Sequence, residues 1–192
     1  MEYLIVGIAS YLMGSIPFGL ILTKIFLKKD IRDIGSGNIG ATNVLRTGNK
    51  LIGYLTLVLD ITKAIIPVIY VKINFPELIY IASLSAFLGH VFPIWLKFKG
   101  GKGVATYVGI LFSINILLGI VFISCWMIIF LLSRYSSLSS IIASSSVPIY
   151  LLIKSNIDAV IFFIIMFVLI FFTHRENIKR LKNKEESKSK IY

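Results

Sequence analysis

Charge of either sign is scarce in this chain: charged residues fill 15% of its 192 positions, with 20 Lys and Arg against 9 Asp and Glu. So few charges cannot cover a water-soluble surface, and a hydrophobic content of 57% with a mean hydropathy of +0.88 lies far above that of a soluble domain. Cysteine is limited to Cys125, inside an apolar run; with 2 histidines in the whole chain, this excludes an intrachain disulfide and leaves no ligand cluster. No metal and no other cofactor is expected. A basic leader region is also missing. Glu2 stands where it would begin and no small-residue cleavage pattern follows, so the first apolar run is expected to stay as a membrane span. The formal charge of +11 would point to nucleic acid if its carriers shared one soluble domain, but they stand at the ends of apolar runs. Membrane lipid, and not nucleic acid, is the expected surface.

What is present is a series of long apolar runs, near 3–26, 51–71, 78–96, 104–132, 138–153 and 157–173. A helix needs roughly 20 residues to cross about 30 Å of hydrocarbon. The 29 residues of 104–132 exceed one upright helix, and Ser113, Asn115 and Gly119 offer a turn within them. Charge arbitrates. If the run splits, the segments 27–50, 97–103, 134–137 and 174–192 share one side and carry sixteen Lys or Arg, against Lys72 and Lys154 on the other. If it does not split, the count becomes nine against nine. Basic residues stay cytoplasmic, so the expected architecture is an all-α polytopic bundle of seven transmembrane helices, some of them short. Its N-terminus lies outside and its C-terminus is cytoplasmic. Residues 1–178 are expected to form one transmembrane domain and 179–192 a disordered basic tail.

Four polar blocks then share the inner face. In the first, Gly35-Ser36-Gly37-Asn38-Ile39-Gly40-Ala41-Thr42-Asn43 lies between Arg32 and Arg46. Small residues let backbone N–H groups approach an anion, the hydroxyls and amides add donors, and arginine grips phosphate oxygens in pairs. The letters also match a dinucleotide fingerprint, but no strand precedes Gly35 and a membrane span follows, so that reading fails. A plain glycine-rich turn is the structural alternative. The second block runs from Gly89-His90 through Lys97 and Lys99 to Gly100-Gly101-Lys102-Gly103 and Thr106. A P-loop needs Ser or Thr directly after its lysine, which Gly103 denies; a lysine among glycines at a helix start still suits an anion. Interfacial anchoring is the alternative for its lysines.

The third block, Arg134-Tyr135-Ser136-Ser137-Leu138-Ser139-Ser140, sets hydroxyls at an inner helix end, where they either cap the helix or meet a ligand. In the fourth, His174-Arg175-Glu176-Asn177-Ile178, a continuing helix would place His174 and Asn177 on one face; a polar helix end is the alternative. Asp60 and Lys63 lie within a span at i and i+3, and they are expected to pair with each other inside the bundle.

These blocks, in this order on a chain of this length, resemble the PlsY family of bacterial acyl-phosphate glycerol-3-phosphate acyltransferases, and the likeness covers nearly the whole chain. The resemblance implies transfer of a fatty acyl group from acyl phosphate to the 1-hydroxyl of glycerol 3-phosphate, giving lysophosphatidate and phosphate, at the cytoplasmic face of the bacterial inner membrane. It implies catalytic roles for Lys102, Ser140, His174 and Asn177. Lys102 and Ser140 would hold the acyl phosphate, while Ser36, Gly37, Asn38, Gly40, Thr42, Asn43 and Arg46 would hold the glycerol phosphate. His90, Gly100, Gly101, Gly103 and Ser137 complete the expected binding residues, with Ser137 the second choice of serine after Ser140. Neither His90 nor His174 has an aspartate five positions later, so the His-x4-Asp chemistry of soluble-donor acyltransferases is excluded. No obligate protein partner is implied. The rival reading is a small transporter of a phosphorylated metabolite; no internal repeat supports it, and the midplane charges pair with each other.

Overall fold

The computed structural model describes residues 1–154 and 157–189, and all regular structure among them is helical, as expected. Ten α-helices follow in order: α1 Glu2–Gly14, α2 Phe18–Phe26, α3 Ala41–Leu45, α4 Lys50–Asn74, α5 Ile79–Val91, α6 Val104–Ile114, α7 Ile116–Ser133, α8 Ser136–Ile153, α9 Ile157–Thr173 and α10 Arg175–Lys182. Five segments are long and apolar enough to cross a membrane: Glu2–Phe26, Lys50–Asn74, Pro76–Leu96, Ile116–Ser133 and Ser136–Ile153. Counting the bent pair Ala159–Thr173 and Arg175–Lys182 as one span gives a sixth. The chain divides into two compact units, Met1–Ile114 and Asn115–Tyr192.

In the first unit α1 lies along α5 and α4 along α6. Lipid tails are as apolar as leucine, so close backbone approach and hydrogen bonds, rather than the hydrophobic effect, hold such helices together. Gly14 and Gly89 supply the approach between α1 and α5: a Cβ at Gly14 would overlap Ala86 O, and one at Gly89 would overlap Tyr11 O. The Tyr11 hydroxyl donates to Phe92 O at 2.7 Å and the Trp95 indole to Ser15 Oγ at 2.7 Å. Gly109 brings α6 against α4 at Ile61, and the layer between them is closed by fully buried Ala64, Val68, Tyr107 and Ile110.

The first span, read as one run over 3–26, is interrupted between α1 and α2. Pro17 has no N–H and its ring would strike the carbonyl four residues back, so the helix stops. At the break Ile16 O accepts from Phe18 N at 3.1 Å and from Lys63 Nζ at 2.6 Å. Lys63 also pairs with Asp60 Oδ1 at 2.8 Å, both side chains being almost fully buried, as the i, i+3 spacing predicts. The long run at 104–132 does split, at Asn115. There the Lys72 ammonium satisfies the last carbonyls of α6, donating to Ser113 O at 2.8 Å and Ile114 O at 3.0 Å, and the Asn115 side chain caps α7 by accepting from Leu117 N at 2.8 Å. With 11 residues, α6 is about 16 Å long, roughly half a bilayer.

In the second unit α8 packs against both α7 and α9. The serines at its start do not cap it. Tyr135 holds the N-cap position, and the hydroxyls bond back to carbonyls one turn earlier, Ser139 to Tyr135 O and Ser140 to Ser136 O, each at 2.8 Å. The helix expected to continue through His174 instead bends by 59° there. α10 runs on to Lys182, and Glu186 is hydrogen-bonded to Asn177 within the unit; of the basic tail read over 179–192, residues 190–192 lie outside the described ones.

Candidate active site

The glycine-rich block folds as a closed loop organised by one buried side chain. Gly35 and Gly37 take left-handed backbone angles, φ +57° and +68°, which only glycine adopts without strain. Asn43, buried at 2% exposure, reaches back across the loop. Its Nδ2 donates to Ile31 O, Ile34 O and Asn38 O at 3.1, 2.9 and 2.8 Å, and its Oδ1 accepts from Ser36 N at 3.0 Å. Asn38 Oδ1 accepts from Gly40 N at 2.9 Å, and Gly37 N donates to Ile34 O at 3.0 Å. The N–H groups of Ser36, Gly37 and Gly40 are thus used inside the loop. Asn43 shapes the loop. What the loop presents outward is side chains: Ser36, Thr42 and Arg46 are exposed, and Arg46 lies over Gly35. Asp30 closes the other edge, gripping Arg32 through Nε at 2.9 Å and Nη2 at 2.6 Å. That pairing holds the Asp30 carboxyl well below the usual carboxylate range and raises Arg32.

Asn43→Ala would leave Asn38 O and Ser36 N without the partner Asn43 supplies and would take one of two donors from Ile31 O and from Ile34 O, at roughly 1–3 kcal/mol for each group left buried and unpaired. The expected outcome is loss of hydrogen-exchange protection at the Ser36 amide together with acyl-acceptor binding. Protection at Ser36 equal to wild type would show that the loop does not depend on this amide.

The second block turns back on the end of α5. Gly101 N donates to His90 O and Gly100 N to Val91 O, each at 3.0 Å. His90 is 3% exposed, with Nδ1 3.8 Å from Asp60 Oδ1 and Nε2 in the place a Gly101 Cβ would occupy. It packs behind the glycine segment. Gly103, at φ +85°, sits on the Phe87 ring and hands the chain to α6 through Tyr107 N to Gly103 O at 2.7 Å. Lys102 is half-buried between these glycines, two residues before α6 begins.

In the second unit three donors converge on one carboxylate. Glu186 Oε1 accepts from Ser137 Oγ at 2.7 Å and Asn177 Nδ2 at 2.6 Å, and Oε2 accepts from Arg180 Nε at 2.7 Å. Burial works to raise the Glu186 carboxyl, but the hydrogen bonds from Asn177, Ser137 and Arg180 outweigh it and hold the group below its ordinary value. The serine brought to Asn177 is thus Ser137. Ser140, the first choice from sequence, is buried, donates to Ser136 O and accepts from the Trp126 indole at 3.1 Å. His174 is 2% exposed, and its Nδ1 lies 2.8 Å from Ile170 O. A carbonyl only accepts, so Nδ1 carries the hydrogen in this contact. Arg180 and Glu186 were missed from sequence. Arg180 follows Asn177 by one helical turn, a signal in periodicity; Glu186 lies in a charge-rich run that carries none.

A family model described as Glycerol-3-phosphate acyltransferase matches residues 4–184. A glycerol-3-phosphate acyltransferase of Pelagibacter ubique (strain HTCC1062) is 77% identical over 192 residues, covering 100% of each chain. One of Brucella anthropi is 49% identical over 178 residues, 93% of this chain and 89% of that one. Among solved structures, PlsY, an integral membrane glycerol 3-phosphate acyltransferase, matches in its glycerol 3-phosphate form with a TM-score of 0.91 at 37% identity, covering 99% of this chain and 96% of that one. Its lysophosphatidic acid form matches with a TM-score of 0.89 at 36% identity and the same coverage.

Proposed function

The chain belongs to the glycerol-3-phosphate acyltransferase family and is a membrane acyltransferase acting on glycerol 3-phosphate; from that premise we propose that its donor is an acyl phosphate and that the 1-hydroxyl is acylated. The observation that carries the donor assignment is the lack of an aspartate five positions after either histidine, which removes the base pair that less reactive donors need. An acyl phosphate is a mixed anhydride already activated for attack, so holding the hydroxyl against the carbonyl and stabilising the charge that develops can supply most of the rate.

In the proposed reaction the hydroxyl oxygen forms a bond to the acyl carbon, the bond from that carbon to the phosphate oxygen breaks, and the departing phosphate takes the hydroxyl proton. Lysophosphatidate and inorganic phosphate result, and atoms balance. In the first unit Ser36, Thr42 and Arg46 receive one phosphate, on a loop that Gly37, Asn38, Gly40 and Asn43 shape, and Lys102 receives the charge of the other. In the second unit Ser137 and Asn177 offer donors, and His174 and Asn177 orient the hydroxyl or the carbonyl. The proposed setting is the bacterial inner membrane with seven spans, counting α6 and α9 as spans. The N-terminus is outside and the polar blocks are cytoplasmic, because that arrangement puts sixteen of the flanking basic residues inside.

Purified protein supplied with labelled glycerol 3-phosphate is expected to form product with acyl phosphate and not with acyl-CoA or acyl carrier protein. Product with acyl-CoA alone would overturn the donor assignment; a folded sample silent with every donor would overturn the reaction and favour a transporter.

A further inference from the structure

Beyond the reaction itself, the second unit contains an anion site that its own chain already fills. α10 ends at Lys182, and the chain then returns toward the start of α8. Glu186 lands on Ser137, Asn177 and Arg180, and further on Ser189 N donates to Arg134 O at 2.9 Å, while Lys188 Nζ lies 5.8 Å from the Tyr135 ring. Three donors from two helices, one of them a guanidinium, make a site for an anion with several oxygens.

The carboxylate takes all three bonds on its two oxygens, with Ser137 and Asn177 sharing Oε1. A phosphate monoester carries about −1.5 to −2 charge at pH 7 and three strong acceptor oxygens, one for each donor. The two ligands also differ in what holds them. Past Lys182 the return segment has no helix of its own, and Lys184, Glu185, Ser187 and Lys188 are exposed; besides the carboxylate, it is held by Glu185 N to Arg180 O at 2.8 Å and by the Ser189 amide.

We propose that the Glu186 carboxylate is a built-in competitor of the phosphate group, occupying the Ser137–Asn177–Arg180 site until a phosphate monoester displaces the C-terminal segment. Arg180 is then a phosphate-binding residue of that site, and the segment acts as a brake at low substrate. The identity of the displacing substrate rests on the functional reading above; the displacement does not.

Two measurements on the full-length protein test it. Trypsin cuts after lysine, and Lys184 and Lys188 flank the carboxylate. Saturating glycerol 3-phosphate or inorganic phosphate is expected to speed cleavage at these two sites several-fold over chloride at equal ionic strength. An equal or slower rate with both would overturn the proposal, whether or not the protein transfers acyl groups. Glu186→Gln keeps the shape and removes the charge. It is expected to lower KM for the phosphate-bearing substrate about fivefold with kcat within twofold of wild type. A fall in kcat at unchanged KM would instead make Glu186 a support for Asn177, and the competitor role would be lost. Absence of acyl transfer in the wild type would count against the functional reading alone, with the cleavage rates still deciding the displacement.

Discussion

Lys102→Ala is expected to lower kcat/KM for acyl transfer by about 10²-fold or more while the protein melts within a degree or two of wild type. The activity loss follows from removing a positioned cation where charge develops, an effect of about 2.7–4 kcal/mol for donors of this kind. The stability expectation follows from how the segment is held. Gly100 N and Gly101 N bond to Val91 O and His90 O, and Gly103 O accepts from Tyr107 N, so these backbone bonds fix the path past residue 102 without its side chain. Lys102→Arg should recover only part of the rate, since a planar fork and a compact ammonium place their charge differently. Steady-state kinetics on purified protein, with a melting curve beside them, decide the matter. Full activity in a folded Lys102→Ala protein would remove this residue from the reaction.

Asp60→Ala is expected to destabilise the protein by about 3–5 kcal/mol, because Lys63 would keep its charge in a site almost closed to solvent with only Ile16 O as an acceptor. Replacing both partners tests whether the pair or the charge is at fault. Asp60→Leu with Lys63→Met removes both charges and fills the space, so most of the loss should return. Recovery should stop short of wild type, since Ile16 O then keeps Phe18 N but loses its Lys63 donor, at about 0.5–1.5 kcal/mol. Unfolding in detergent, followed by the fluorescence of Trp95 and Trp126, measures both variants. A double variant no more stable than Asp60→Ala would mean that His90, 3.8 Å from Asp60, needs the carboxylate in place.

The two substitutions separate kinds of polar residue that look alike along the chain. Lys63 and Lys102 are both lysines in apolar surroundings, yet Lys63 lies in mid-helix three residues after an acid, whereas Lys102 lies between glycines at a helix start. That contrast is visible in the sequence, because helical spacing and glycine content are local properties. The break at Asn115 was visible for a similar reason: a run too long for one span, with polar residues at its middle, has to interrupt itself.

Pro17 could have been read in the same way but was absorbed into a run long enough to span as one helix, and only the break explains why Ile16 O is available to Lys63. The choice between Ser137 and Ser140 was harder. Both stand in one serine-rich helix start and composition treats them alike. What separates them is that Trp126 packs onto Ser140, while the return of the chain after Lys182 brings Glu186 to Ser137. His90 and Asn43 belong to their blocks by sequence, and their burial, at 3% and 2% exposure, comes from the fold.

By itself the sequence determined that the chain is helical, lives in a bilayer, and carries four polar blocks with the chemistry of phosphate binding. These conclusions follow from hydropathy, charge placement and residue type, which are summed along the chain. Tertiary structure alone decided which groups in those blocks face outward and which are consumed in holding a loop, and that Arg180 and Glu186 join Ser137 and Asn177. Donors and acceptors are satisfied by whatever the fold brings within about 3 Å, and for Glu186 that is a serine 49 positions earlier.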